Sequence, residues 1–187
     1  MCPASQIPVN KSRDAGLPDN LPGFDEPLAL LRACHTRILD HCELLEQLVT
    51  KVKAQGDETE IRDTARKLIT YFSNSARLHH RDEENDLFPR LARQSLKLAD
   101  LIHALRQEHE QLDVLWAALE ASLKQVTRLD DLEPFVATAT RFCELSRQHV
   151  RREEMEFLPI AASSLSSEQI KDIGVAMAGR RGVSFHG

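Results

Sequence analysis

Between Pro27 and Val52 the apolar residues Leu28, Leu31, Ile38, Cys42, Leu45, Val49 and Val52 recur in alternating steps of three and four, the period that turns one helix face toward a core. The one polar slot on that stripe is His35. The same template runs through Leu98, Ile102, Leu105, Leu112, Trp116, Leu119, Leu123 and Val126, interrupted by His109. Ala65, Leu68, Phe72 and Ala76 lead by the same steps into His79, Glu83 and Leu87, while Phe135, Ala139, Phe142 and Ser146 lead into His149, Glu153 and Phe157. Four amphipathic helices are predicted, and ionisable side chains occupy inward positions on each.

The helices fall into two similar pairs. HHRDEENDLFP, starting at His79, parallels QHVRREEMEFLP, starting at Gln148, and Leu31-Arg32-x-x-His35 parallels Leu105-Arg106-x-x-His109. Two hairpins that each bury one stripe can close on one another, so the expected fold is all-α, an up-down-up-down four-helix bundle over residues 27–160. Residues 1–26 are Pro-rich and read as an extended N-terminal arm, with Asp25 and Glu26 before Pro27 marking the first helix start. In residues 161–187, Ser166-x-x-Gln169 has the form of a capping box for a short C-terminal helix to about Ala178. Gly179-Arg180-Arg181-Gly182 beyond it reads as a solvated end.

Ionised carboxylates inside a bundle cost several kcal/mol unless compensated, and two of them facing four imidazoles call for cations. A His and a Glu four apart lie roughly 6 Å along one helix face, close enough to converge on one centre. His35, His79, Glu83, His109, His149 and Glu153 would thus supply the ligands of a buried two-metal site. If each carboxylate bridges, every ion receives two imidazoles and two carboxylate oxygens, the ions lying about 3.5 to 4 Å apart. Imidazole and carboxylate without thiolate suit iron or manganese and accept zinc. A register using Glu84 or Glu154 stays open, and Asp113, one turn from His109, is a further candidate near the metal. His80 and Glu84 repeat the His-x3-Glu spacing, but their helical neighbours Ser73 and Arg77 assign them to the exterior. His41 and His103 lie beside the stripes, and His186 lies in the tail. Cys34 and Cys143 read as small interhelical fillers.

With His35, His79-x3-Glu83, His109 and His149-x3-Glu153, and with the EE-x-x-LFP and EE-x-x-FLP tails, the chain resembles the hemerythrin-like HHE domain over roughly residues 27 to 160. The resemblance implies a non-haem di-iron centre with carboxylate and oxo or hydroxo bridges that binds or senses dioxygen, nitric oxide or related small ligands. Oxygen-carrying hemerythrins have a His-x3-His pair on the third helix, whereas here the residues four before and four after His109 are Leu105 and Asp113. Four histidines with two glutamates are more similar to bacterial proteins that repair iron centres under nitrosative stress. Those also carry a cysteine-bearing N-terminal domain, against which this chain has Cys2 alone in its arm. The preferred reading is a binding or sensing protein. The alternatives are a di-iron enzyme or iron donor in nitrosative or oxidative stress or iron-sulfur cluster repair, and a metal-stabilised interaction domain.

Composition narrows the field further. A net charge of −5 with 28% charged residues gives no electrostatic case for nucleic acid or an anionic membrane. No apolar run reaches bilayer length and the N-terminus lacks an apolar signal core. The four cysteines show neither Cys-x-x-Cys spacing nor a disulfide framework, so a cytoplasmic location is expected. Glu-x-x-His pairs of ferritin-like sites, His-Glu-x-x-His and Gly-rich phosphate loops are all missing from the sequence.

Overall fold

Every predicted stripe closes into a helix in the computed structural model, which describes residues 22–185; residues 1–21, which hold most of the expected arm and Cys2, and His186 lie outside the described residues. α1 is Pro27–Lys53, α2 spans 58–91, α3 is Leu96–Leu123, α4 spans 133–164 and α5 is Ser167–Arg180. Among the described residues there is no strand, and no helix is long and apolar enough to cross a membrane.

The boundaries follow from local chemistry. Pro27 opens α1, where a missing N–H costs nothing; Glu26 stands at the cap position without a side-chain hydrogen bond. α1 ends as Gln55 turns into the left-handed region at φ 52° and Gly56 N–H donates back to the Lys51 carbonyl at 3.0 Å. Asp57 caps α2 by accepting from Glu60 N–H, and Ser95 caps α3 by accepting from Leu98 N–H. Ser166 and Gln169 form the expected capping box of α5. Within α2 and α4 the turns Glu83–Leu87 and Glu153–Phe157 are π-helical, and Pro89 and Pro159 follow each. A proline ring crowds the carbonyl four residues back and offers no N–H, and a widened turn accommodates both defects.

α1 packs against α2 and α4, and α3 packs against α4 and α2, completing the up-down-up-down bundle. Its interior is divided into two apolar clusters. One holds Ile38, Ala76, Leu112 and Phe142; the other holds Leu31, Leu87, Leu105 and Phe157. On each of the four helices the inward His or His-x3-Glu unit lies between a member of the first cluster and a member of the second, so the polar residues form one layer across the bundle.

α5 closes the second cluster with Ile173 and Met177, both fully buried. At Gly174 an added Cβ would lie 1.9 Å from the Phe24 carbonyl oxygen, so glycine lets the segment entering α1 cross α5. The helix runs through Arg180, and the solvated end expected at Gly179–Gly182 is not found. Arg180 Nε donates to Asp82 Oδ1 at 2.8 Å, Arg181 Nη2 to Asp82 Oδ2 at 2.7 Å, and Arg180 also pairs with Asp86. Asp82 is fully buried, and its charge draws both guanidinium groups onto α2, where sequence showed only a polar tail.

Candidate metal centre

The six residues named from sequence converge, and none is more than 2% exposed. His35 and His79 meet edge to face with ring centroids 4.8 Å apart, and His109 and His149 do the same at 4.6 Å. The two glutamates lie between these pairs with their oxygens divided. Glu83 Oε1 is 3.6 Å from His79 Nε2 and its Oε2 is 3.4 Å from His109 Nε2. Glu153 Oε1 is 3.3 Å from His149 Nε2 and its Oε2 is 3.0 Å from His35 Nε2. Two ligand sets result, His35–His79–Glu83–Glu153 and Glu83–His109–His149–Glu153, each with its donor atoms within 4.8 Å of one another.

These donor atoms lack hydrogen-bond partners that could satisfy them. His35 Nε2, both nitrogens of His79 and all four oxygens of Glu83 and Glu153 are buried without a hydrogen bond. Such a concentration of orphaned polar atoms is costly in a protein interior and is the expected signature of a cation site. His109 Nε2 and His149 Nε2 face each other at 3.0 Å while the opposite nitrogen of each ring points at a carboxylate. Two inward lone pairs at that distance require a cation or a proton between them. The residues present therefore fit a pair of metal ions.

Outer carboxylates set the direction of three rings. Glu154 Oε1 lies 2.6 Å from His35 Nδ1, Glu84 Oε1 2.7 Å from His109 Nδ1, and Glu108 Oε2 2.8 Å from His149 Nδ1. A carboxylate accepting from Nδ1–H fixes the tautomer that leaves Nε2 free for metal. The tandem Glu-Glu of each hairpin thus divides its work: Glu83 and Glu153 face the centre, while Glu84 and Glu154 sit partly exposed behind a histidine of the other hairpin. Asp113 is exposed and has no hydrogen bond among the described residues.

The electrostatics of these side chains among themselves reflect the same layout. Burial pulls His35 toward neutrality, but Glu153 and Glu154 outweigh it and raise its pKa to about 9. Burial likewise opposes His149, and Glu153 and Glu108 raise it to about 9. His79, buried with no carboxylate against its Nδ1, is held well below the usual imidazole range. Burial and the charge of Glu153 push Glu83 well above the usual carboxylate range, whereas His149 and His35 hold Glu153 well below it against the same burial. Hydrogen bonds to His109 and His35 lower Glu84 and Glu154 respectively.

Two residues near the centre were not anticipated. Glu108 lies three residues after Leu105 and four before Leu112, so it occupies the inward stripe of α3; that spacing was the available signal. It is buried and also pairs with Arg152. His80, expected on the exterior, is instead partly buried and stacked on His109 with centroids 4.0 Å apart and planes 13° from parallel. Burial, followed by the charges of His109 and His79, holds it well below the usual imidazole range. His41 stacks on Tyr71 at 3.6 Å, away from the ligand sets.

On the side of the first apolar cluster, Phe72, Trp116 and Phe142 form an aromatic group with centroid separations of 4.9 to 5.7 Å. They line a cavity of about 30 Å³ that also touches His80, Asp113 and His149.

The family model for the hemerythrin HHE cation-binding domain matches residues 26–161. The chain is also 28% identical over 166 residues to an uncharacterized protein of Haemophilus influenzae, with 89% of this chain and 96% of that protein covered.

Proposed function

The chain belongs to the hemerythrin HHE cation-binding family, and from that premise we propose that it holds two iron ions and binds or senses a small diatomic ligand, dioxygen or nitric oxide. The division of the two buried carboxylates carries this reading: each offers one oxygen to His35 and His79 or their counterparts His109 and His149, as two bridging ligands would. Each ion would then take two imidazole nitrogens and two carboxylate oxygens from the protein.

Iron in that setting supplies coordination positions for the ligand and electrons to exchange with it. The chain supplies the rest. Glu154, Glu84 and Glu108 keep the protons of His35, His109 and His149 on Nδ1 and aim the Nε2 lone pairs inward. Phe72, Trp116 and Phe142 make the approach apolar, which favours a small neutral ligand over bulk water. Cys34, beside His35, offers no competing thiolate, because burial pushes its thiol up to about 11. Enclosure of all six ligand residues favours retention of the metal, and with it a binding role over an iron-donor role.

The test is metal analysis and optical spectroscopy of the iron-reconstituted full chain, reduced and then exposed to dioxygen or nitric oxide. Two irons per chain and a ligand-dependent band that reverses on gas removal are expected; irreversible bleaching after one exposure counts against reversible binding. Retention of fewer than two irons per chain in excess iron removes the di-iron reading itself.

A further inference from the structure

His80 presents an imidazole to the cavity beside the proposed centre, yet its ring makes no hydrogen bond among the described residues. One of its nitrogens lies within 4.8 Å of nitrogens of both His109 and His149. That proximity alone would suit a third imidazole on the ion held by those two residues, but the ring planes argue otherwise. An imidazole binds an ion through a lone pair in its own plane, so two rings on one ion each have planes containing it. His80 lies face to face over His109 with centroids 4.0 Å apart and planes 13° from parallel. Separate, nearly parallel planes cannot both contain the same ion, and His80 in this arrangement is not a ligand.

It lines the cavity of about 30 Å³ together with His149, Phe72, Trp116 and Phe142. A site for one water needs roughly 10 to 15 Å³ on this measure, so the space takes a ligand of about two heavy atoms. Ser146 also lines it, but its hydroxyl already donates to the Phe142 carbonyl at 2.8 Å. An imidazole N–H against such a wall gains most from an acceptor placed in the cavity.

Resting on the two-metal reading above, the geometry points to His80 as a hydrogen-bond donor to the small ligand bound at the His109–His149 ion, making that ion, not the His35–His79 one, the ligand-binding member of the pair. The repeat-related position in the second hairpin is Val150, which cannot donate, so the two ions differ in their surroundings although their protein ligands match.

The experiment uses the iron-loaded full chain with azide as the probe, comparing the parent with His80→Ala and His80→Gln by metal analysis, optical titration and vibrational spectroscopy. Two irons per chain are expected in all three proteins, with azide affinity lowered about ten-fold in His80→Ala and partly restored in His80→Gln. The azide stretch of the parent should shift in D₂O and that of His80→Ala should not. Azide affinity within two-fold of the parent, or a D₂O shift that survives in His80→Ala, overturns the inference. Loss of one iron from His80→Ala also overturns it, by making His80 a ligand. A parent chain that binds fewer than two irons is distinguishable from these results, since it overturns the two-metal reading and this inference with it.

Discussion

Replacing both Arg180 and Arg181 by alanine should cost about 3 to 5 kcal/mol of folding stability, although Arg180 is the last residue of the chain's final described helix and Arg181 its C-cap. The figure follows from Asp82. That carboxylate is fully buried, Arg180 Nε holds one oxygen at 2.8 Å, and Arg181 reaches the two oxygens at 2.7 and 3.2 Å. The double variant leaves a buried anion without a cation, the situation that gives buried ion pairs their large single-partner penalties. Arg181→Ala alone leaves Arg180 in place and should cost less, about 1.5 to 3 kcal/mol for the lost charge-assisted hydrogen bonds. Exchanging these three charges for apolar residues, Asp82→Leu with Arg180→Met and Arg181→Met, should return part of the loss, because their desolvation cost disappears with them while Asp86 keeps only Arg90, at 3.9 Å. Denaturant unfolding of the metal-free protein reads these values without metal binding masking them. A double variant within about 1 kcal/mol of the parent would refute the argument, as would a triple variant less stable than the double. Asp82 immediately precedes Glu83, so the double variant should also hold metal less tightly.

Two further outcomes follow from the centre itself. His35 and His149, each raised to about 9 without metal, are protonated at neutral pH and must release those protons to bind an ion, so apparent metal affinity should climb with pH until about 9 and then level off. Calorimetry in buffers of different ionisation enthalpy measures the protons released, and metal uptake without proton release at neutral pH would contradict the assignment. Glu108→Gln removes the carboxylate behind His149 and should weaken metal binding about 10- to 100-fold, read by competition with a chelator of known affinity; unchanged affinity would show that Glu108 serves only Arg152.

The fold and the inward residues were legible because helical periodicity is strict. A buried stripe admits few polar residues, so His35, His109 and the two His-x3-Glu units stand out against Leu, Phe and Ala. What periodicity cannot resolve is a residue at the edge of the stripe. His80 is one position from His79, about 100° around the helix, and single-helix geometry gives it to the exterior. In the bundle α3 comes close enough that this edge meets His109, a property of helix packing and not of one segment. Glu84 and Glu154 were ambiguous for the same reason, since each adjacent pair of glutamates straddles the boundary of its stripe. Arg180 and Arg181 were misread because the partner that buries them, Asp82, is 98 and 99 residues away in sequence.

The repeat in the sequence becomes an exchange in three dimensions. Each hairpin provides both imidazoles of one ligand set, His35 with His79 or His109 with His149, but only one of the two carboxylates that set needs. Glu83 reaches across to His109, Glu153 reaches across to His35, and behind them Glu84 and Glu154 cross in the same sense. Neither hairpin contains a complete site, so the four carboxylates that cross between them, two buried and two partly exposed, are oriented only when the bundle is closed. Metal binding is then thermodynamically linked to hairpin docking, and ions that bind the closed bundle preferentially stabilise that closure in proportion to their affinity. The exchange also explains why a layer of charge can persist between two apolar clusters: it is the one place where joining the hairpins by hydrophobic burial and joining them through shared ligands coincide.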